Sequence, residues 1–289
     1  MSPSEHTDEL RKAYDHCLAV VRGHYENFPV ASLMLPRDRR TPLAALYAFA
    51  RAADDMADEG DLPARERLRR LDQWEARLEH AYEGRASHPV FVALAATAAR
   101  FDIPRQLFAD LLAAFRSDAA RTRYRSFDDL LGYCKNSANP VGRIVLMVFE
   151  DARERTVALS DAICTALQLA NFWQDLSVDL VRGRLYLPLD DLDRFGYTEA
   201  DLAARRGDER FTQLLHEQIG RTRALFHSGK PLIDEVTRAL RMEVLLSWRG
   251  GVAILDRVER EGAGVLLRRP VLSPLRKASI LISALLRIR

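Results

Sequence analysis

The stretch 168–188, with the sequence QLANFWQDLSVDLVRGRLYLP, separates polar from apolar residues as an amphipathic helix does. At about 100° per residue, two amides and two carboxylates fall in one stripe: Gln168, Asn171, Asp175 and Asp179. The opposite side is apolar and consists of Leu169, Trp173, Leu176 and Leu180. A polar stripe is most often a face turned to solvent, but a second stretch of the same kind makes that interpretation less favoured here.

A second acidic helix is predicted within residues 43–61, where Asp54 and Asp58 are again four residues apart. They share their helix face with Leu43, Tyr47 and Ala50, which we expect to be buried. Buried carboxylates need a partner, because unpaired charge outside water is costly. Arg51, one turn before Asp54, can serve only one of the two. Carboxylates that no basic residue neutralises on both acidic helices therefore predict a divalent-cation site. Because the ligands are oxygen atoms, with no His or Cys among them, they favour Mg²⁺.

Composition predicts one all-α domain that covers residues 1–289. Ala, Leu and Arg dominate, Gly and Pro are confined to short runs, and no long linker or repeat divides the chain. The 43 basic and 41 acidic residues give a net charge of +2, which argues against general nucleic-acid binding. The three cysteines, Cys17, Cys134 and Cys164, are typical of reduced core thiols. With neither a signal peptide nor a membrane-spanning run, we expect a cytoplasmic protein, soluble or peripheral to the membrane.

Helix boundaries follow from capping and breaking residues. The acidic helix of 43–61 is expected to begin with Thr41 as cap and Pro42 in the first turn, and Thr198 begins a capping signature. Residues 190–197 are expected to form a loop. Further helices are predicted at 7–26, 64–82, 90–101, 104–116, 211–226 and 231–260.

Two segments allow alternatives. Residues 128–149 are apolar except near the centre, where Pro140 predicts either a kinked helix beside a cavity or two shorter helices joined by a surface turn. The basic connector 117–126, with Tyr124 among its arginines, either lies in water or meets an anionic substrate.

These motifs resemble the squalene/phytoene synthase family. The resemblance rests on the paired D-x-x-x-D helices, the Gln168 to Asp175 approach, and the R-x-Y-L-P exit at Arg184 to Pro188, and it runs from His24 to Arg269. Within the family, 137–142 (SANPVG) and 171–175 (NFWQD) are most similar to the bacterial hydroxysqualene synthases of hopanoid biosynthesis. The family implies a terpenoid synthase fold with a central cavity and Mg²⁺ as cofactor.

The resemblance also implies roles for residues. The implied metal ligands are Asp54, Asp58, Asn171, Asp175 and Asp179. Arg51 and Arg269 would hold diphosphate, and Tyr133 would lie near the reacting carbons. The remaining substrate-binding residues are Tyr47, His24, Phe28 and Gln168, although a lone histidine such as His24 is more commonly structural. Two positions depart from many relatives, since Gln174 replaces an arginine and Gly251 a tyrosine.

The resemblance implies that presqualene diphosphate ionises and rearranges, and that water captures the cation to give hydroxysqualene. That product needs no hydride, so no NADPH is expected, and handover to other hopanoid-pathway enzymes is expected. One alternative is condensation of two prenyl diphosphates to presqualene diphosphate, squalene or phytoene; another is a helical scaffold without catalysis. The C-terminal basic segment, with the apolar run 280–286, either docks on the body or contacts an anionic membrane.

Overall fold

The computed structural model describes residues 3–23, 35–58, 62–120 and 122–288, and this part of the chain is helical without a β-strand. Only an isolated bridge between Arg123 and Leu185 has β geometry there. The described α-helices, in chain order, are α1 (Pro3–Gly23), α2 (Arg37–Asp58), α3 (Ala64–Tyr82), α4 (Pro89–Arg100), α5 (Arg105–Ala120), α6 (Phe127–Ser137), α7 (Asn139–Val148), α8 (Glu154–Val181), α9 (Leu189–Arg194), α10 (Glu199–Ala203), α11 (Glu209–Gly229), α12 (Leu232–Glu235), α13 (Arg238–Glu261) and α14 (Pro274–Ile288). A 3₁₀ helix, Gly262–Leu266, follows α13. The all-α prediction is confirmed.

The helices group into two compact units, Met1–Arg121 with Pro140–Arg153, and Thr122–Asn139 with Glu154–Arg289. The expectation of one domain over 1–289 stays a prediction. No described helix has the length and apolar character needed to cross a membrane.

The first unit packs around aromatic side chains from α2, α3, α4 and α5. Phe49 on α2 lies edge-on to Phe108 with ring centroids 5.3 Å apart, and Trp74 lies 4.5 Å from Phe91. All four rings are buried. Large aromatic side chains contribute much of the apolar area that such a core removes from water.

Helix α2 begins earlier than its sequence predicts. It starts at Arg37, so Pro42 lies inside the helix and Thr41 is not its cap. The Pro36 carbonyl accepts hydrogen bonds from the amides of Arg39 and Arg40. The Arg39 guanidinium donates to the carbonyl of Val148 and lies 5.3 Å from the ring centroid of Phe101. The first turn of α2, which lies before the predicted cap Thr41, therefore contains a residue with tertiary contacts.

The segment 128–149 forms two helices, as one of the two alternatives predicted. Helices α6 and α7 meet at Ala138, but Asn139 and Pro140 are buried, so the junction is not a surface turn. The Asn139 side-chain oxygen accepts a 2.9 Å hydrogen bond from the Thr165 hydroxyl of α8. The Thr165 hydroxyl thus satisfies the Asn139 side-chain oxygen, which in a surface turn would be hydrogen-bonded by water.

The second unit packs around α8, and its core includes Trp173, which is fully buried. Trp173 donates a 2.9 Å hydrogen bond to the Thr222 hydroxyl on α11, which in turn donates to the Gln218 carbonyl at 2.8 Å. Because the indole needs this one partner, the bond also fixes how α8 is rotated about its axis.

Two further boundaries differ from expectation in this unit. Residues 190–197 were expected to be a loop, but α9 forms there because Asp191 is buried and accepts hydrogen bonds from Arg221 and Gln218. The helix predicted over 231–260 is interrupted, since the backbone at Val236 is extended and its side chain is buried. The capping box of Thr198 with Asp201 is confirmed.

The described cysteines are free thiols, as expected. Cys17 and Cys134 are buried, and burial raises the pKa of each thiol to about 12, whereas Cys164 is only partly buried. A thiol with so high a pKa carries almost no thiolate at neutral pH.

Candidate active site

The first acidic pair lies on α2, but its carboxylates are not buried as the sequence suggested. The Asp54 side chain is 44% exposed, because the core face of α2 runs along Phe49, Ala53 and Ala57. That line is about 100° around the helix from Asp54 and Asp58. Solvent therefore reaches these carboxylates, and burial does not force them to find a partner.

Arg51 pairs with two neighbouring aspartates of α2, Asp54 of the acidic pair and Asp55 beside it. Its guanidinium lies 3.3 Å from the carboxylate of Asp54 and 2.5 Å from that of Asp55. Tyr47, one turn earlier, is partly buried, and that burial raises the pKa of its hydroxyl. Arg51 and the acidic pair thus form one charged surface at the C-terminal half of α2.

The second acidic stripe lies on α8, as predicted. Its members range from partly buried to exposed, while the opposite side, formed by Leu169, Trp173 and Leu176, is buried. The four stripe residues are Gln168, Asn171, Asp175 and Asp179. Since the Trp173 hydrogen bond fixes the rotation of α8, it also keeps these amides and carboxylates away from the core of the second unit.

Residues 267–273, here called the 267–273 linker, are attached to this stripe at two adjacent points. The Arg269 guanidinium donates to both carboxylate oxygens of Asp175. The buried Gln174 amide donates a 2.7 Å hydrogen bond to the Pro270 carbonyl. Two consecutive residues of α8 therefore hold two consecutive residues of the linker, which sequence patterns alone did not indicate.

An aromatic group lies beside the second stripe. The rings of Phe172 and Tyr186 are stacked, with centroids 3.8 Å apart and planes 9° from parallel. The ring of Tyr133 lies 5.9 Å from Phe172 and 6.1 Å from Tyr186. Tyr124 stacks on Tyr186 from the other side at 5.7 Å. Tyr186 belongs to the R-x-Y-L-P motif, so its aromatic role could have been suspected from the sequence, whereas that of Tyr124 could not.

Two arginines of the basic connector, Arg123 and Arg125, reach solvent and also pair with carboxylates of the protein. Arg123 pairs with Glu199 at 2.8 Å and donates to the carbonyl of Gly183, and Arg125 pairs with Asp190 at 2.8 Å. Tyr124 between them is buried. The two arginines thus attach the connector to the second unit.

The structure does not describe all the predicted site residues. His24 and Phe28 lie outside the described residues, so their assignment to substrate binding stays a prediction. Position 251 is described, and there the backbone is tightly enclosed: a Cβ on Gly251 would come within 2.5 Å of the Phe226 ring and 2.6 Å of Leu167. A larger residue at this position requires its neighbours to move.

The donor chemistry of the two stripes fits a hard cation. Each helix offers carboxylates at one-turn spacing with oxygen donors only, which suits Mg²⁺ that keeps several waters and bridges to phosphate. Among the described residues, no three His, Cys, Asp or Glu side chains gather as ligands of one ion. Arg51 and Arg269 show that Asp54 and Asp175 are open to cationic groups.

Comparisons with known proteins identify the class. The family model for squalene/phytoene synthases matches residues 21–276, and the chain belongs to this family. Members are prenyltransferase-type enzymes that act on prenyl diphosphates and generally use a divalent metal.

Among curated relatives, phytoene synthase from Arthrospira platensis is 33% identical over the whole chain and 97% of its own length. Among solved structures, squalene synthase HpnC from Alicyclobacillus acidocaldarius is 40% identical, with a TM-score of 0.84 over 88% of this chain and 95% of that one. A dehydrosqualene synthase, 24% identical, shares the fold, with a TM-score of 0.86 over 98% and 99% of the two chains. The fold is that of the isoprenoid synthases.

Proposed function

We propose that this protein is a hydroxysqualene synthase that converts presqualene diphosphate and water into hydroxysqualene and diphosphate. The observation that carries the proposal is the pair of motifs at 137–142 and 171–175, which resemble those of the bacterial hydroxysqualene synthases. The similarity to the squalene synthase HpnC, at 40% identity over most of both chains, supports a thirty-carbon product. In this assignment the enzyme is a carbon–oxygen lyase of hopanoid biosynthesis.

The acidic residues would hold the metal. Asp54 and Asp58 on α2, and Asn171, Asp175 and Asp179 on α8, supply hard oxygen donors, and their partial exposure leaves them accessible. Bound Mg²⁺ supplies Lewis-acid stabilisation of the leaving diphosphate. Arg51 and Arg269 add fixed positive charge for the same oxygens, and Tyr47 and Gln168 line the approach in this proposal.

The aromatic residues beside the second acidic stripe would surround the carbocation. Phe172 and Tyr186 are stacked on each other and buried, and beside them the partly buried ring of Tyr133 would exclude water and stabilise positive charge through its π face. One water attacks the rearranged cation and loses a proton, so the net change adds water and releases diphosphate. No electrons are gained, and NADPH is therefore not required.

The packing at Gly251 favours this reaction over condensation. Phe226 and Leu167 already fill the space in which many relatives carry a tyrosine. We propose that this difference, together with Gln174 in place of an arginine, adapts the site to one large substrate.

Condensation of two prenyl diphosphates is the second candidate. It is favoured by the curated relatives, such as the phytoene synthase from Arthrospira platensis. The two candidates differ in substrate and product, so a single incubation separates them.

The test uses purified protein with Mg²⁺ and either presqualene diphosphate or farnesyl diphosphate, followed by product identification. We expect hydroxysqualene from presqualene diphosphate, with the hydroxyl oxygen labelled in H₂¹⁸O, and no change of product on adding NADPH. Presqualene diphosphate formed from farnesyl diphosphate, or phytoene formed from geranylgeranyl diphosphate in a parallel incubation, would refute the assignment in favour of condensation. Squalene formed only with NADPH would indicate an ordinary squalene synthase.

The cellular setting is also proposed. The product is a thirty-carbon lipid, so we propose a cytoplasmic enzyme that contacts the inner face of the membrane through residues after Ser273. We further propose that it passes its product to the next hopanoid-pathway enzyme. Deletion of those residues should weaken salt-sensitive binding to anionic liposomes if the protein stays folded.

A further inference from the structure

A second concentration of positive charge lies in the second unit, in a pocket between α13 and α14. The pocket has a volume of about 220 Å³, and its lining includes Trp248 and Arg249 of α13 and Arg276, Ser279 and Ser283 of α14. One water molecule occupies about 30 Å³ in the liquid, so the pocket has room for a phosphate group and several waters.

Among the residues that the structure describes, the arginines of this pocket have no carboxylate partner. Within the described part of the chain, neither Arg249 nor Arg276 forms a salt bridge. The one polar contact of the Arg249 guanidinium is a 2.6 Å hydrogen bond to the Ser283 hydroxyl, which itself donates to the Ile280 carbonyl at 2.9 Å. The serine neutralises no charge, so Arg249 is a partly buried cation that lacks an anion.

Neighbouring groups increase this positive charge. Burial and the nearby Arg287 guanidinium both lower the pKa of Arg249. Lys230 adds a further cation near the pocket, with its Nζ atom 5.4 Å from the ring centroid of Trp248, which lines the pocket. Arg287 has one acidic neighbour, the exposed Asp234, at 3.9 Å. Cations gathered around a pocket that is lined with hydroxyl groups are typical of phosphate recognition.

The outer face of α14 indicates which phosphate compound is bound. Leu275, Ile282 and Leu286 are 84%, 58% and 69% exposed, and their spacing of seven and four residues places them on one side of the helix. Ser279 in the pocket lies about 20° around the helix from Leu286, so the apolar face adjoins the pocket rim. A single ligand that satisfies both features has an anionic phosphate head and a hydrocarbon tail.

We propose that the pocket between α13 and α14 binds the phosphate headgroup of an anionic phospholipid, with the outer face of α14 in contact with the acyl region. Arg249 and Arg276 hold the phosphate oxygens, and Ser279 offers a hydroxyl beside them. The site does not depend on the reaction assigned to the enzyme. It adds to the general attraction of the basic segment a defined pocket, to which α13 contributes Arg249.

The test measures binding of the full chain to phosphatidylcholine vesicles with and without phosphatidylglycerol, at fixed salt. Arg249→Gln should weaken binding to the anionic vesicles by about tenfold or more, the loss expected for a hydrogen bond to a charged group. The matched control is Arg260→Gln, which removes an exposed arginine from the same helix outside the pocket. Its effect should be much smaller.

Several outcomes overturn the proposal. Equal losses in the two variants would mean diffuse charge attraction without a pocket. Binding of inorganic phosphate in calorimetry, lost in Arg249→Gln, without any vesicle binding would assign the pocket to a free phosphate and not to a lipid. If Arg249→Gln does not fold, Arg276→Gln at the exposed rim replaces it, and unchanged vesicle binding by that folded variant refutes the site.

Discussion

Glu243 on α13 carries a carboxyl group that should make the stability of this protein depend on pH. Its Oε2 atom is buried and makes no hydrogen bond with the described residues. Burial raises the pKa of this carboxyl from 4.5 to about 7, with no charged neighbour contributing. Replacement by glutamine keeps the shape of the side chain and removes its ability to ionise, so Glu243→Gln isolates the cost of the buried charge.

The direction and size of the effect follow from the two pKa values. In the folded protein Glu243 keeps its proton up to about pH 7, whereas in the unfolded chain it loses the proton near pH 4.5. Between these values the folded state binds more protons, so the stabilising contribution of the protonated form is lost as pH rises. Each pKa unit corresponds to about 1.4 kcal/mol, so the full cost is about 3 kcal/mol and is complete above pH 7.

Urea unfolding at pH 5 and pH 8 measures this cost. We expect the free energy of unfolding of Glu243→Gln to be higher than that of the wild type by about 3 kcal/mol at pH 8 and by less than about 1 kcal/mol at pH 5. Glu9→Gln, at an exposed position on α1, is the matched control and should show no such difference between the two pH values. A constant difference between wild type and Glu243→Gln across this range, or a less stable variant at pH 8, would refute the reasoning.

Three further predictions concern the candidate site. Asp54→Asn and Asp175→Asn should each lower turnover by about a hundredfold or more with the fold intact, since each removes an anionic metal ligand, and near-normal rates would exclude the proposed metal site. Gln174→Leu should raise the Michaelis constant more than it lowers turnover, because it releases the 267–273 linker from α8; Gln174→Asn, a shorter amide, should restore part of the loss, and an unchanged Michaelis constant would contradict the positioning role. Gly251→Ala should destabilise the protein by about 1–3 kcal/mol in thermal unfolding, since its Cβ would meet the Phe226 ring, and an unchanged melting temperature would contradict that close packing.

The sequence determined most of the helical segments and which side of α8 is polar. Both depend on local rules, since a 3.6-residue period places Asp175 and Asp179 opposite Trp173 wherever the helix lies. The capping box at Thr198 is equally local and was confirmed. The family could also be identified from the sequence, because its motifs consist of residues with fixed spacing.

Tertiary contacts decided the features that spacing does not encode. The start of α2 at Arg37 accompanies contacts of Arg39 with distant residues, and α9 forms around the ion pair of Asp191 with Arg221. The exposure of Asp54 depends on which side of α2 meets the core. Periodicity alone predicted a buried side that is about 100° around the helix from the side that is buried in the structure. Such choices depend on partners far apart in the chain, and a sequence pattern contains only near neighbours.

The same distinction applies to the candidate site. The sequence named Arg269 only through family resemblance, and it contained no sign that this residue pairs with Asp175 or that Gln174 holds Pro270. The pocket of Arg249 and Arg276 was also invisible, because arginines 27 positions apart become neighbours only when α14 packs on α13. The sequence fixes which residues are arginines. Whether an arginine has a carboxylate partner depends on how the helices pack.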